Sequence, residues 1–245
     1  MVSYLDIDDD LLFPDSDGQP MADNTEQYEW IVKIKENLEI IFADDPTVFI
    51  AGDLLWYPLR STLVSPVAPD VMVAFGRPKG RRGSYRQWQE ENIAPQVVFE
   101  ILSPKNTKAE MSRKLEFYDT YSVEEYYLYN PMRCRLQGWQ RQGEKLREII
   151  PINDWISPRL GVRFIWNKSS LELYRPDGEK FLTTVELESQ MRQEKKRADQ
   201  EKKRADKEKK RADKEKKRAD RLAERLEALG LGSISFMQVS NYTCP

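Results

Sequence analysis

The sequence contains no histidine, and this absence removes several kinds of catalytic and metal-binding site. Without histidine there can be no Ser-His-Asp triad, no nuclease site built on a histidine and metal finger, and no histidine-ligated zinc. The two cysteines, Cys134 and Cys244, lie far apart and match no metal-binding or redox spacing. A disulfide framework is therefore not expected.

Long apolar segments are also missing. No apolar run approaches the roughly 20 residues that a membrane-spanning helix needs. The first ten residues are acidic, whereas a secretory signal peptide begins with positive charge. We therefore expect a reduced, soluble, cytoplasmic protein that does not cross a membrane.

The two signs of charge are concentrated in different parts of the 245-residue chain. Residues 192–221 contain 16 basic and 8 acidic residues, which gives this segment a net charge of +8. The rest of the chain contains 23 basic and 33 acidic residues, a net charge of −10, and the total is −2. An acidic globular part is thus joined to a basic segment. Any attraction of the globular part to nucleic acid must come from local basic features.

The order of predicted elements divides the chain into four parts. An acidic, turn-rich segment over residues 1–23 is expected to lie on the surface of the protein. Residues 24–182 are enough for one folded domain with its own core. Residues 183–229 predict a charged helix, and residues 230–245 predict a disordered tail.

Short apolar runs alternate with helical patterns within the folded domain. Asn24 or Thr25 is expected to cap a first helix whose apolar stripe begins at Tyr28, and a second helix is predicted after Thr107. Strands are predicted over residues 47–51, 54–57, 70–75, 96–102, 125–129, 133–141, 144–150, 162–166 and 171–174. This order predicts an α/β fold with a mixed central sheet flanked by helices.

A seven-residue repeat fills most of the charged helix. The sequence Glu-Lys-Lys-Arg-Ala-Asp begins at Glu194 and returns at Glu201, Glu208 and Glu215. Spacings of four and three put leucines at the two ends of one stripe but only Glu and Ala in its middle, so the coiled-coil seam is weak there. The helix could act as a spacer, as a self-association element or as a strap for nucleic acid. Because every repeat also contains acids, we favour spacing or homo-oligomerisation over DNA binding.

Two acids in apolar surroundings and one lysine form the most informative group of residues. Asp70 opens the predicted strand over residues 70–75, and Glu100 lies inside the strongly apolar strand over residues 96–102. A carboxylate in such a strand costs several kcal/mol unless it is paired or bound to a metal. Two carboxylates with a main-chain oxygen suit Mg²⁺, and Lys114 on the next helix would orient water and offset developing charge. Taken singly, Asp70 also suits a turn, Glu100 a structural ion pair, and Lys114 a solvated helix.

These residues and their neighbours resemble the Uma-type family of restriction endonucleases, within the PD-(D/E)XK nuclease superfamily. The resemblance spans roughly residues 25–175 and is carried by Pro69-Asp70, Glu100-Ile-Leu-Ser-Pro, Asn106-Thr107, Glu110, Lys114, Tyr118, Glu125-Tyr-Tyr and Asn130-Pro131. It implies a restriction-endonuclease-like sheet and a phosphodiesterase site that uses Mg²⁺, with Mn²⁺ as a substitute. It also implies that Asp70 and Glu100 are metal ligands and that Lys114 is the catalytic lysine.

One position departs from the superfamily pattern. The pattern places lysine two residues after the second acid, where this chain has Leu102. Lys114 fits the alternative arrangement with lysine on the following helix, and Lys108 is its rival nearer to the helix start. Glu110 precedes Lys114 by one helical turn, so it is expected to orient the lysine rather than to touch the metal.

Further acids upstream are weaker candidates. Glu26 and Glu29 open the first helix, where acids more often interact with the helix dipole than with a metal. Asp53 lies between apolar residues and could either reach the site or cap a turn.

A basic loop lies between the two predicted metal ligands in the sequence. Over residues 76–88 it interleaves Tyr85 and Trp88 with the basic residues Arg77, Lys79, Arg81, Arg82 and Arg86. This combination suits contact with phosphates and stacking on bases, so we predict that the loop binds nucleic acid. The alternative is a flexible solvated loop without a partner.

The favoured function is a metal-dependent DNA endonuclease. The rivals are a nucleic-acid-binding or scaffold protein that has kept the fold without catalysis, and a phosphodiesterase acting on small molecules. Placement of polar residues in apolar strands indicates the metal site, whereas the reaction class follows from the resemblance alone.

Overall fold

A computed structural model describes residues 9–18, 20–167 and 169–229. The helices are α1 Asp9–Leu12, α2 Thr25–Ile41, α3 Lys108–Thr120 and α4 Thr184–Ala228. The strands are β1 Val48–Gly52, β2 Trp56–Tyr57, β3 Val71–Phe75, β4 Tyr85–Arg86, β5 Val97–Ile101, β6 Glu125–Asn130, β7 Arg135–Gln142, β8 Lys145–Glu148, β9 Trp155–Ile156, β10 Arg163–Asn167 and β11 Ser170–Tyr174. The predicted tail over residues 230–245 lies outside the described residues.

The central sheet has six strands in the order β1-β3-β5-β6-β7-β8. Only the β5–β6 pair is parallel, and α3 forms the crossover that a parallel connection requires. The remaining pairs are antiparallel, and the β7–β8 hairpin turns at Gly143, whose φ of 62° suits glycine. The sheet is therefore mixed, as predicted.

Alternate residues of the strands form two apolar cores, one on each face of the sheet. Val71 and Val73 of β3 pack with α2, whereas Met72 and Ala74 pack on the face that α3 covers. The small sheet β11-β10-β9 adds Phe164, Leu171 and Leu173 to the α2 face. Helices on both faces confirm the predicted α/β class.

The apolar stripe of α2 differs from the prediction at its start. Asn24 caps the helix by accepting a hydrogen bond from Gln27 N–H, as the sequence indicated. Tyr28, however, is 49% exposed, and the buried stripe begins instead at Gln27 and continues with Ile31, Ile34 and Leu38. A polar residue thus occupies the first turn of the buried face.

The N-terminal acidic segment is anchored more firmly than a surface segment would be. Phe13 is buried, and its ring meets those of Tyr57 and Trp88 at edge-on angles. Asp15 accepts a hydrogen bond from the Ser84 hydroxyl at 2.7 Å. Most described residues of this segment are exposed, and Phe13 anchors it by filling a gap between β2 and the 3₁₀ turn at Gln87–Gln89. Residues 1–8 of the predicted segment lie outside the described residues.

The chain divides into two compact units between Val185 and Glu186. The second unit contains most of α4, a 45-residue helix with no buried residue. Its stripe is exposed at Met191, Leu222 and Leu226, in agreement with the predicted solvated helix. Pairing of this helix stays a prediction. Among the described residues, no helix is both long enough and apolar enough to span a membrane.

Candidate active site

Three acids lie at the same end of neighbouring strands. In the β1–β3 ladder Gly52 faces Val71, and in the β3–β5 ladder Val71 faces Phe99. Continuing both registers by one residue sets Asp53 opposite Asp70, and Asp70 opposite Glu100. Directly opposed residues share a face of the sheet, so the side chains of Asp70 and Glu100 belong to the face that α3 covers. Asp53 follows the end of β1 with a φ of 48°, so this rule does not fix the direction of its side chain.

Glu100 is held by two residues of α3. Its side chain is 3% exposed, and Oε2 accepts a hydrogen bond from Lys114 Nζ at 2.8 Å. The same contact is an ion pair. The hydroxyl of Tyr118 donates a short hydrogen bond to Oε1. Lys114 and Tyr118 are four residues apart, so one face of the helix supplies both groups. Both oxygens of this buried carboxylate are thereby satisfied and fixed in direction.

Asp70 lies beside this pair with less compensation. It is 7% exposed, and its Oδ2 accepts a hydrogen bond from Ile101 N–H at 2.6 Å. Burial, together with the negative charge of Glu100, raises the pKa of Asp70 from 3.8 to about 8. Lys114 and the Ile101 N–H act in the opposite direction but do not cancel this shift. A cation near Asp70 would offset the same cost.

Lys114 remains a cation in this environment. Burial by itself would lower the pKa of Lys114, but the charges of Glu100 and Asp70 outweigh burial, so the pKa is raised. The structure brings Lys114 to the acids, whereas Lys108 is exposed at the start of α3 and has no described contact with them. The role of Lys114 in catalysis stays a prediction.

Gln27 completes the surroundings of the acids, and the sequence analysis missed it. Its Nε2 donates to the Ile101 carbonyl at 2.9 Å, and its Oε1 accepts from Asp23 N–H at 2.8 Å. The amide thus fixes the main chain directly after Glu100. A polar residue in register with Ile31 and Ile34 on an apolar helical stripe was the signal that pointed to it.

The secondary candidates separate into near and far groups. Asp53 has a φ of 48°. Burial raises the pKa of Asp53, and the charges of Asp17 and Glu100 act in the same direction, while Lys114 opposes them. Glu26 and Glu29 are exposed on α2. Glu110 forms a capping box with Thr107 at the start of α3, and its charge also raises the pKa of Lys114. A role for Glu110 in orienting Lys114 stays a prediction.

The donor set at this end of the sheet consists of oxygens. Within the described part of the chain, no group of three or more Asp, Glu, Cys or His residues is close enough to hold a metal ion. The available ligands are the carboxylates of Asp70 and Glu100 and the main-chain carbonyl of Ile101. Mg²⁺ retains several waters and commonly binds through one or two carboxylates, so this set suits it.

The basic loop is folded back on the protein. Arg77 and Arg82 form ion pairs with Glu90 at 3.0 and 2.6 Å, and Arg82 also lies over the ring of Phe49. Arg86 is buried and pairs with Asp10 at 2.7 Å. These contacts hold Arg77, Arg82 and Arg86 against the protein, so the alternative of a flexible solvated loop does not describe them.

The two remaining basic residues of the loop differ from each other. Lys79 Nζ donates to main-chain carbonyls at Phe42 and Ala43, whereas Arg81 is exposed. Nucleic-acid binding by the loop stays a prediction, and only Arg81 presents a guanidinium without a described partner. The nearby acids were visible in the sequence, but their pairing depends on the folded path of the loop.

Comparison with known proteins assigns the family. The family described as "Uma2: Putative restriction endonuclease" matches residues 23–195. The chain belongs to the Uma2 family. The match includes Asp70, Glu100 and Lys114, and it confirms the resemblance that the sequence motifs indicated.

A solved structure is also similar to this Uma2 chain. It is described as the "crystal structure of a putative nuclease belonging to DUF820 from Anabaena variabilis ATCC 29413". The two chains share 13% sequence identity with a TM-score of 0.43, over 57% of this chain and 74% of the other. No curated protein matches this chain. Family membership supports a nuclease, and that assignment rests on the Uma2 match alone.

Proposed function

We propose that this Uma2 protein is a Mg²⁺-dependent endonuclease that hydrolyses phosphodiester bonds of DNA. The observation that carries the proposal is the buried group of Asp70 and Glu100 in adjacent register, with Lys114 2.8 Å from Glu100. Buried carboxylates in apolar strands are costly without a counter-ion. Here one lysine serves two acids, and a divalent cation would supply the missing positive charge.

The residues that would hold Mg²⁺ are Asp70, Glu100 and the carbonyl of Ile101, with Mn²⁺ as a substitute. When bound, the ion supplies positive charge that stabilises the transition state and favours deprotonation of the attacking water. Asp53 directly follows β1, and the charges of Asp17, Lys114 and Glu100 act on its pKa. It is the acid best placed for an additional contact through water.

The protein's own groups position the reaction. Lys114 stays protonated, so it donates hydrogen bonds to the attacking water or to a phosphate oxygen as negative charge builds there. It cannot act as a general base in this state. Tyr118 holds the second oxygen of Glu100, and Gln27 holds the main chain after Glu100. These contacts keep the ligand directions fixed before the substrate binds.

Nicking of supercoiled plasmid tests the role of Lys114. We expect Mg²⁺-dependent nicking by the wild-type protein and a loss of at least about 100-fold in Lys114→Ala, because a charge that stabilises the transition state is removed. Lys35→Ala, on the opposite face of the sheet, serves as the control and should retain activity. Retained nicking in Lys114→Ala together with loss in Lys108→Ala would assign the role to Lys108 instead.

We also infer that α4 brings copies of the protein together through the ends of its stripe. Leu222 and Leu226 are 54% and 46% exposed in the single chain, and burial of such leucines in a seam stabilises coiled coils. Analytical ultracentrifugation should show a larger assembly for the full chain than for a chain ending at Leu182. The same association state in both proteins would contradict this role.

A further inference from the structure

A cavity of about 850 Å³ lies between α3 and strands β6 and β7. Its walls also include the segment that joins β5 to α3 and the 3₁₀ turn after β6. The volume falls within the roughly 300–1,000 Å³ typical of small-molecule sites. None of its lining residues takes part in the acid and lysine group described above.

The cavity borders the candidate active site directly. In the parallel β5–β6 ladder Glu100 faces Leu128, and Leu128 lines the cavity. Leu102, two residues after Glu100, lines it as well. Adjacent in-register residues of a sheet have Cβ atoms about 5 Å apart, so the cavity begins one side chain away from Glu100. A substrate bound in it would place a neighbouring phosphate near the acids.

The charge of the cavity is opposite to that of the globular part. Its lining includes Lys108, Arg133 and Arg135 but no Asp or Glu. All three basic residues are exposed, and their side chains have no hydrogen bond or ion pair within the described part of the chain. Exposed cations without internal partners attract phosphate, and their field is not cancelled locally.

The floor of the cavity is apolar and includes an aromatic ring. Met111, Leu115 and Leu128 contribute aliphatic surface, and Trp139 lines the same space. The Trp139 ring stacks on Tyr126 with centroids 5.0 Å apart, which fixes its orientation. Aromatic and aliphatic surface beside basic groups is the usual combination for holding a base and its phosphate.

We propose that this cavity binds an unpaired nucleotide of single-stranded DNA next to the phosphodiester to be cut. A base within a duplex is stacked on both sides and cannot enter a concave site without leaving the stack. The proposal rests on the proposed nuclease function, because it takes Glu100 as a metal ligand beside the phosphodiester to be cut. The favoured substrates are therefore single strands, flaps or gaps rather than continuous duplex.

Binding in the absence of metal tests the cavity separately from catalysis. Full-length protein in EDTA would be titrated into a labelled single-stranded oligonucleotide and into the same sequence as a duplex, followed by fluorescence anisotropy. Ser112→Trp fills the cavity from the exposed surface of α3, and Glu116→Trp places the same ring on that helix outside the cavity. We expect binding of the single strand to weaken about tenfold in Ser112→Trp only, as loss of one stacked base would produce.

A second measurement separates the cavity from non-specific binding by α4. An oligonucleotide that contains 2-aminopurine should change fluorescence on binding to the wild type and to Glu116→Trp, but not to Ser112→Trp. If Ser112→Trp does not fold, the double variant Arg133→Ala/Arg135→Ala replaces it, with weaker single-strand binding expected. Equal affinity for duplex and single strand, unchanged in the cavity variants, would overturn the proposal.

The remaining outcomes are distinct. A changed sedimentation coefficient in Ser112→Trp without a change in DNA binding would make the cavity an interface between copies, and the proposal would be wrong. The wild type could cut no DNA with Mg²⁺ while Ser112→Trp still loses single-strand binding. This result would support the cavity as a nucleotide site and reject the nuclease function. Cleavage with binding that is insensitive to Ser112→Trp would reject the cavity alone.

Discussion

Two regions of the globular part concentrate basic side chains, and their environments are opposite. In the loop over residues 76–88, Arg77, Arg82 and Arg86 pair with acids of the same chain. At the cavity, Arg133 and Arg135 are exposed and have no described partner for their side chains. The loop has the denser run of arginines in the sequence, yet the cavity presents more free positive charge.

The difference shows that the number of basic residues in a segment does not measure its attraction for DNA. Glu90 pairs with Arg77 and Arg82, and Glu91 adds a second acid at Arg77. The N-terminal segment supplies Asp10 and Asp15 to Arg86. Pairing removes the field that phosphate would feel and leaves a structural role. We therefore expect substitutions in the loop to change stability and substitutions at the cavity to change binding.

The largest effect on stability is expected for Arg86→Ala. Arg86 is 8% exposed and donates to the Phe13 carbonyl at 2.7 Å in addition to its ion pairs. Its removal leaves the buried Phe13 carbonyl and Ser84 hydroxyl without their donor, which costs about 3 kcal/mol of unfolding free energy. Urea denaturation measures this loss, with the exposed Arg81→Ala as the control. An equal, small effect in both variants would remove the distinction between the two regions.

Substitution of a buried charge with too few stabilising partners should increase the unfolding free energy rather than lower it. Asp70 is such a charge. Its pKa is raised from 3.8 to about 8, so between these pH values the folded chain holds a proton that the unfolded chain has released. Stability therefore falls as the pH rises through this range. In metal-free protein Asp70→Asn should therefore be more stable than the wild type at pH 8, and the difference should shrink toward zero near pH 4.

Asp119→Asn provides the matched control for this pH dependence. Although burial acts in the opposite direction, the pKa of Asp119 is lowered by the Leu146 N–H and by Lys145 and Arg141. Its contribution to stability is present above the unfolded pKa and is lost as the pH falls. Asp119→Asn should therefore be less stable than the wild type at neutral pH and equal to it in acid. The same trend for both variants would contradict the assigned environments.

The smallest effect on stability is expected at the cavity. Arg133→Ala/Arg135→Ala removes two exposed side chains without described partners, so the unfolding free energy should change by no more than about 0.5 kcal/mol. The salt dependence of single-strand binding should nevertheless weaken by about two units of slope in a plot of log affinity against log salt. An unchanged slope would show that these arginines do not contact phosphate.

The sequence predicted the six strands of the central sheet and pointed to the two acids because both depend on local pattern, whereas the short strands β4 and β9 were not predicted. Glu100 was conspicuous in an apolar run, and Asp70 followed a proline at a strand start, so the mixed sheet and the pairing of the two acids could be anticipated. The choice of Lys114 over Lys108 needed the resemblance as well as the helix. The structure adds the observation that Asp70, Glu100 and Lys114 lie close together in space.

Other features depend on contacts between distant parts of the chain and could not be read in advance. Gln27 reaches Ile101 across 74 residues, and Arg86 meets the N-terminal segment across 73. The cavity exists only because β7 returns beside β6. A single sequence gives residue types and spacing, whereas the partner of a charge is decided by tertiary packing.

Cleavage of a forked DNA by the wild type and by Glu100→Gln tests the central claim most directly. The substrate would have one paired and one unpaired arm, each end-labelled, and Glu100→Gln keeps the size of the side chain while removing its charge. We predict Mg²⁺-dependent cuts in the unpaired arm by the wild type and none by the folded variant. Equal cleavage by both proteins would contradict the site, and cuts confined to the paired arm would contradict the substrate assigned to it.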